Sequence, residues 1–132
     1  GDKNYVHCTA SGKAQIAFFP ESEIYNIIQM WGLPKQTNNT ITNVDVLKEQ
    51  LEEIRSRGYA IDDRESEEDV RCVASPVFDY TGNVVAALSI SGPITRMTLE
   101  KLENDYSHLI VKATADVSKE LGYNDRLKII EQ

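Results

Sequence analysis

Apolar residues recur along this chain with two distinct periods. From Glu21 to Trp31 the residues Ile24, Ile27, Ile28 and Trp31 fall at helical spacing, with Pro20 ahead and Gly32 as a stop. Val44, Leu47, Leu51 and Ile54 repeat the pattern behind Asn43, a good N-cap, and Gly58 ends it. A shorter helix is predicted over Ala10 to Phe19, capped by Thr9 and interrupted by Pro20. The longest predicted helix runs from Leu99 to Leu121, opened by Thr98 and stopped by Gly122. Its expected inner face is Leu102, Tyr106, Leu109, Ile110, Ala113, Val117 and Leu121.

Between the third helix and the last, the pattern changes to short, β-branched runs. Tyr59 to Asp62, Arg71 to Phe78 and Val84 to Ser91 read as strands. Asp63 to Asp69 is too charged for a core strand and reads as a loop. Asp79-Tyr80-Thr81-Gly82-Asn83 joins the last two strands with hairpin chemistry, Gly82 supplying the left-handed conformation. Both faces of Val84 to Ser91 are apolar or small, so cover is expected on both sides.

Each strand is broken by a small polar group: Asp62, Cys72, Ser89 and Ser91. A plain core has no use for an acid, a thiol and two hydroxyls, whereas a small-molecule pocket is mostly apolar with a few convergent polar groups. Whether these groups share a face depends on the hairpin register. Pairing Phe78 with Asn83 sets Cys72 opposite Ser89. Pairing Asp79 with Asn83 turns Cys72 to the other face, because one step inverts every side chain. Pro76 lacks an N–H and is a candidate for a bulge that resets the register.

The 132 residues suffice for one domain with its own core. No apolar run approaches a membrane span, and the polar start has no leader-like pattern. Cys8 and Cys72 form neither a disulfide framework nor a CxxC, so free thiols and a cytoplasmic setting are expected. The net charge of −7 argues against this segment gripping nucleic acid by itself. There is no phosphate-binding loop or dinucleotide fingerprint. His7, Cys72 and Asp62 make a metal site only on paper, and neither metal nor cofactor is expected.

Five pieces, read in order, carry a resemblance. They are His7-Cys8-Thr9-Ala10-Ser11-Gly12-Lys13-Ala14, Thr40-Ile41-Thr42, Arg57-Gly58-Tyr59-Ala60-Ile61-Asp62, Val70 through Asp79, and Ser89-Ile90-Ser91-Gly92-Pro93. Together they resemble the effector-binding domain of IclR-type bacterial transcription regulators, over Asn4 to Tyr123. The resemblance implies an α/β (α+β) fold of GAF and profilin-like kind, an antiparallel sheet with packed helices. It implies an effector-binding domain over residues 1–122, followed by a tail over 123–132. It also implies a winged helix-turn-helix, and the first strand and helix of the effector domain, ahead of the His7 region and outside these residues.

The resemblance assigns effector contacts to the amides of Ala10 and Ser11, with Asp62, Val70, Cys72, Ser89 and Ser91 lining the pocket. The shared-face register follows from the resemblance, not from the turn. The implied ligand is a small carboxylate or α-keto acid, held partly by free N–H groups at a helix start. The implied assembly is a homodimer or tetramer of a repressor that meets DNA only through the N-terminal domain. Two other readings stay open. One is a thiol enzyme with Cys72 as nucleophile, which needs a depressed thiol pKa. The other is a dimerisation module with a filled core.

Overall fold

The structure is a computed structural model, described here for residues 5–124. Three helices come first: α1 (Ala10–Ile16), α2 (Glu21–Trp31) and α3 (Val44–Arg57). Strands β1 (Ala60–Asp63), β2 (Val70–Phe78) and β3 (Val84–Pro93) follow. The chain ends in α4 (Leu99–Lys101), a π-helical turn (Leu102–Tyr106) and α5 (Ser107–Glu120), which run on as one rod.

The helix boundaries follow the caps. The Thr9 hydroxyl accepts from the Gly12 N–H, Asn43 Oδ1 from the Asp45 and Val46 N–H groups, and the Thr98 hydroxyl from the Lys101 N–H. Gly58 closes α3 at φ 88°, a conformation that costs a residue with a Cβ. α1 stops at Ile16, sooner than the apolar pattern predicts. The guanidinium of Arg55 donates to the Ala17 carbonyl at its end, over 2.8 Å.

The strands form one antiparallel sheet in the order β1-β2-β3. The hairpin turn closes with Asp79 N–H bonded to Asn83 O, and Phe78 pairs with Val84. Continued unchanged, that register would put Cys72 opposite Ile90. An irregularity between Val77 and Phe78 adds one residue on β3, so Val77 pairs with Ala86 and Cys72 with Ser91. The expected Cys72–Ser89 pairing is therefore replaced: Ser89 lies opposite Ala74. The shared face survives, because the bulge restores the parity that the turn alone would have lost. Pro76 is tolerated in the middle strand because β1 reaches only to Ala74.

Each sheet face has its own core. Ala60, Cys72, Ala74 and Ala87 meet α1 through Ala10 and Ala14, with Leu47, Leu51 and Ile54 of α3 stacked behind. On the other face Val73, Ile61 and Ile90 pack with Leu102 and Ile110 of the last helix. Alanines dominate the α1 side, which lets that short helix lie close to the strands.

The last helix departs from its predicted orientation. Ile110 faces the sheet, but Leu109 and Val117 are 59% and 38% exposed, and Ala113 and Leu121 are exposed beside them. The buried row is Ser107, Ile110, Thr114 and Ser118. Its hydroxyls are used: Ser75 Oγ lies 2.8 Å from Thr114 Oγ1 and donates to Gly58 O, and Ser118 Oγ accepts from Phe78 N–H. Small bonded hydroxyls let the helix approach β2, and the apolar stripe is left on its flank. Tyr123, expected in a tail, stacks on Phe78 at 4.9 Å. The remainder of that expected tail, 125–132, lies outside the described residues.

Gly12 sits where the 5–9 segment crosses α1. A Cβ there would meet Val6 Cα at 2.5 Å and Thr9 Oγ1 at 2.7 Å. Gly12→Ala is therefore expected to destabilise the fold by about 1–3 kcal/mol, the range for overpacking. Urea unfolding of the variant and the parent measures this. A change within about 0.5 kcal/mol would mean that the crossing is looser than described.

Candidate functional site

The face of the sheet under α1 carries the polar groups that the sequence singles out. Asp62 pairs with Cys72, and Cys72 with Ser91, so the three form one row across β1, β2 and β3. Ser89 and Val70 lie two residues from the row on the same face. α1 rests on this face with Ala10 buried among the same core residues as Cys72, and Ser11 half-buried next to it. Five strand residues and the start of α1 thus border one region.

Local chemistry differs along the row. Asp62 is 2% exposed, and both carboxylate oxygens are taken: Oδ1 accepts from Glu65 N–H and Oδ2 from Ser66 Oγ, each at 2.7 Å. Burial raises its pKa from the usual aspartate value, against the pull of those bonds and of Lys13. Asp62 therefore shapes the loop after β1, where Arg64 takes a positive φ of 56°. Cys72 is half-buried, and burial followed by the Asp62 charge pushes its thiol up to about 11, while the Ser89 hydroxyl bonds it and pulls the other way. Ser89 and Ser91 are exposed on β3. At the start of α1 the Ala10 and Ser11 N–H groups precede the first intrahelical acceptor, so the helix itself gives them no partner.

The largest organising element was not foreseen. Lys13 is fully buried, and its ammonium donates to Gln50 Oε1 at 3.0 Å, Ile61 O at 2.7 Å and Glu65 Oε1 at 2.7 Å. Burial pushes Glu65 above the usual glutamate value, and Lys13 opposes this. Glu65 Oε2 accepts from Asp63 N–H, and Glu65 O accepts from Thr40 Oγ1. A signal was present: Lys13 stands on the apolar stripe of α1 with Ala10, Ala14 and Ala17, and a lysine there needs buried partners.

His7 and Cys8 do not form a catalytic pair. His7 is buried with Nε2 2.9 Å from Pro34 O, and burial lowers its pKa. Burial raises the Cys8 thiol to about 11. Among the described residues no group of three or more His, Cys, Asp or Glu side chains is placed to hold a metal ion. A separate groove of about 960 Å³ lies between α2 and α3, lined by Phe18, Phe19, Ile24, Tyr25, Ile28 and Leu51 among others. It contains none of the seven residues singled out above, and its lining also carries Glu21, Asn26, Gln29, Lys48, Glu52 and Arg55.

Comparison with known proteins identifies the family and the fold. The family described as bacterial transcriptional regulator IclR C-terminal matches residues 1–119. The chain is 37% identical over 125 residues to the HTH-type transcriptional regulator KdgR of Escherichia coli K12, covering 95% of this chain and 47% of that protein. It is 36% identical to the HTH-type transcriptional repressor AllR of Klebsiella pneumoniae, covering 92% of this chain and 44% of that protein. The chain thus spans about half the length of the curated relatives it matches. The crystal structure of Thermotoga maritima IclR superposes with a TM-score of 0.84 at 45% identity, covering 89% of this chain and 47% of that one. The C-terminal domain of E. coli KdgR gives 0.81 at 36% identity, covering 89% of this chain and 71% of that one. This chain belongs to the IclR family of bacterial transcriptional regulators and corresponds to its C-terminal domain.

Proposed function

We propose that this domain senses a small carboxylate and passes the signal, through self-association, to a DNA-binding part outside these residues. The observation that carries the reading is the row Asp62–Cys72–Ser91, with Ser89 beside it, on the face that α1 packs against, with Ser89 and Ser91 still open to solvent. In this reading the Ala10 and Ser11 N–H groups receive the carboxylate. The Ser89 and Ser91 hydroxyls donate to the remainder of the ligand, with Cys72 and Val70 as the softer wall. Asp62 acts as a wall and loop anchor, because its oxygens are already bonded. The Lys13 ammonium has spent all three protons on protein acceptors, so the ligand's charge is met by backbone dipoles and hydroxyls.

A ligand bound there spans α1 and two strands, and it favours whichever arrangement of the domain keeps those elements closest. Such a ligand moves a quaternary equilibrium only by its difference in affinity between the two states. The net charge of −7 fits a division of labour in which the basic, DNA-gripping part lies elsewhere. Among the described residues no helix is long and apolar enough to cross a membrane. The whole-protein role we propose is a cytoplasmic repressor, on the likeness to the regulator KdgR and the repressor AllR.

The thiol-enzyme reading needs a depressed Cys72 pKa, and the surroundings move it the other way. Iodoacetamide should therefore alkylate Cys72 slowly at neutral pH, with the rate climbing as pH approaches about 11. Fast alkylation at pH 7 that plateaus early would restore the enzyme reading. For binding, a thermal-shift panel of small carboxylates, pyruvate and glyoxylate included, identifies a probe for calorimetry. Ser89→Ala with Ser91→Ala should weaken that probe by roughly 1.5–3 kcal/mol for each lost bond. Both sites are exposed, so stability should change by less than about 0.5 kcal/mol. Unchanged affinity would remove the hydroxyls from the site, and a panel with no hit would favour a pure dimerisation module.

A further inference from the structure

Three charged side chains are buried beside the polar row, and their charges do not cancel. Lys13, Asp62 and Glu65 lie inside the domain, so two carboxylates share one ammonium. Lys13 bonds Glu65 at 2.7 Å, whereas Asp62 is met by neutral donors, the Glu65 N–H and the Ser66 hydroxyl. The other groups around them are neutral at pH 7. α3 supplies Gln50, bonded to Lys13. β2 supplies Cys72 and the segment before α1 supplies Cys8, each thiol pushed up to about 11 by burial. His7, in the same segment, is held below its usual value by burial, with the Lys13 charge adding to this. β3 supplies the Ser89 and Ser91 hydroxyls. Asp63 points to the other face of β1 and pairs with Arg64 and Arg71, while Glu67, Glu68 and Asp69 are exposed. With both carboxyls ionised, the buried cluster therefore carries one net negative charge.

That charge stands at the β1 end of the row. Strands lie about 4.8 Å apart, so Cys72 is about 5 Å from Asp62 across the sheet and Ser91 about 10 Å. The Asp62 charge already acts on both thiols. An anion seated on Cys72, Ser89 and Ser91 meets the same field, with little water between to screen it.

We infer that a small carboxylate enters this site together with one proton, drawn from solvent onto the Asp62–Glu65 pair. The inference rests on the carboxylate reading above and adds a regulation to it: the effector is bound more tightly as pH falls. The ligand brings one negative charge and the proton one positive charge, so the interior keeps its balance. Burial already raises both carboxyls from their usual values, and a further anion raises them again. Groups whose pKa rises on binding hold more protons in the complex than in the free domain. Affinity is then highest below that window and is lost as pH climbs through it. The two carboxyls titrate as one unit, so the proton belongs to the pair.

Calorimetry of the 132-residue chain tests this, with pyruvate, glyoxylate and any other hit of the carboxylate panel. At about pH 6.5 binding should be less exothermic in imidazole than in Pipes, because the imidazole buffer absorbs more heat on giving up the proton. Affinity should tighten by up to about tenfold per pH unit between about pH 8 and pH 6. Ser66→Ala removes a bond to the ionised Asp62 and should move this window to higher pH. Glu65→Gln removes the excess charge and should tighten binding at about pH 8 while shrinking the buffer dependence. Should that variant fail to fold, Ser66→Ala carries the test. Binding with equal heats in the two buffers and an affinity flat with pH overturns the inference and leaves the carboxylate site standing. A Ser66→Ala window that does not move overturns it too. No binding at any of these pH values removes the carboxylate reading and this inference together.

Discussion

The fold depends on one buried cation. Lys13 has no solvent exposure, and desolvating an ammonium costs several kcal/mol unless every proton finds an acceptor. Here each proton has one, and the acceptors come from α3, β1 and the loop after β1. A single side chain therefore fixes α1 against three separate parts of the chain. Glu65 extends the effect: its second oxygen takes the Asp63 N–H, its backbone N–H goes to Asp62, and its carbonyl accepts from Thr40. The α2–α3 connection and the end of β1 are tied to the same point.

This constraint positions the candidate site. A helix of seven residues has little stability of its own, so the direction of its first N–H groups depends on what it is fastened to. Lys13, one turn beyond Ala10, is that fastening. Asp62 is held by the same loop, which keeps it at one end of the polar row while Cys72 and Ser91 follow by strand pairing. The small residues at the contact, Ala10, Ala14, Ala60 and Ala74, let helix and sheet come close together.

Much of this was legible in the residues, and the failures have physical causes. Helix starts were readable because Thr9, Asn43 and Thr98 cap by local hydrogen bonds that need no tertiary information. The shared face of Cys72, Ser89 and Ser91 came from family resemblance. The turn alone points to the other parity, and the bulge that corrects it has no signature beyond a nearby Pro76. The orientation of α5 was misread because apolar residues were taken to mark the inner face. The sheet instead receives Ser107, Thr114 and Ser118, whose hydroxyls are bonded, and the leucine and valine stripe lies on a flank. The Lys13 network was hidden because its partners, Gln50 and Glu65, look like ordinary surface residues until the fold brings them inside.

The central claim is that the Lys13 ammonium holds α1 on the sheet, and a denaturation cycle tests it most directly. Lys13→Met should lose roughly 3–5 kcal/mol, because it strands the Glu65 carboxylate in the interior. Adding Glu65→Gln should recover part of that loss, since the amide no longer carries a buried charge. A Lys13→Met variant as stable as the parent, or losses that simply add in the double variant, would contradict the account.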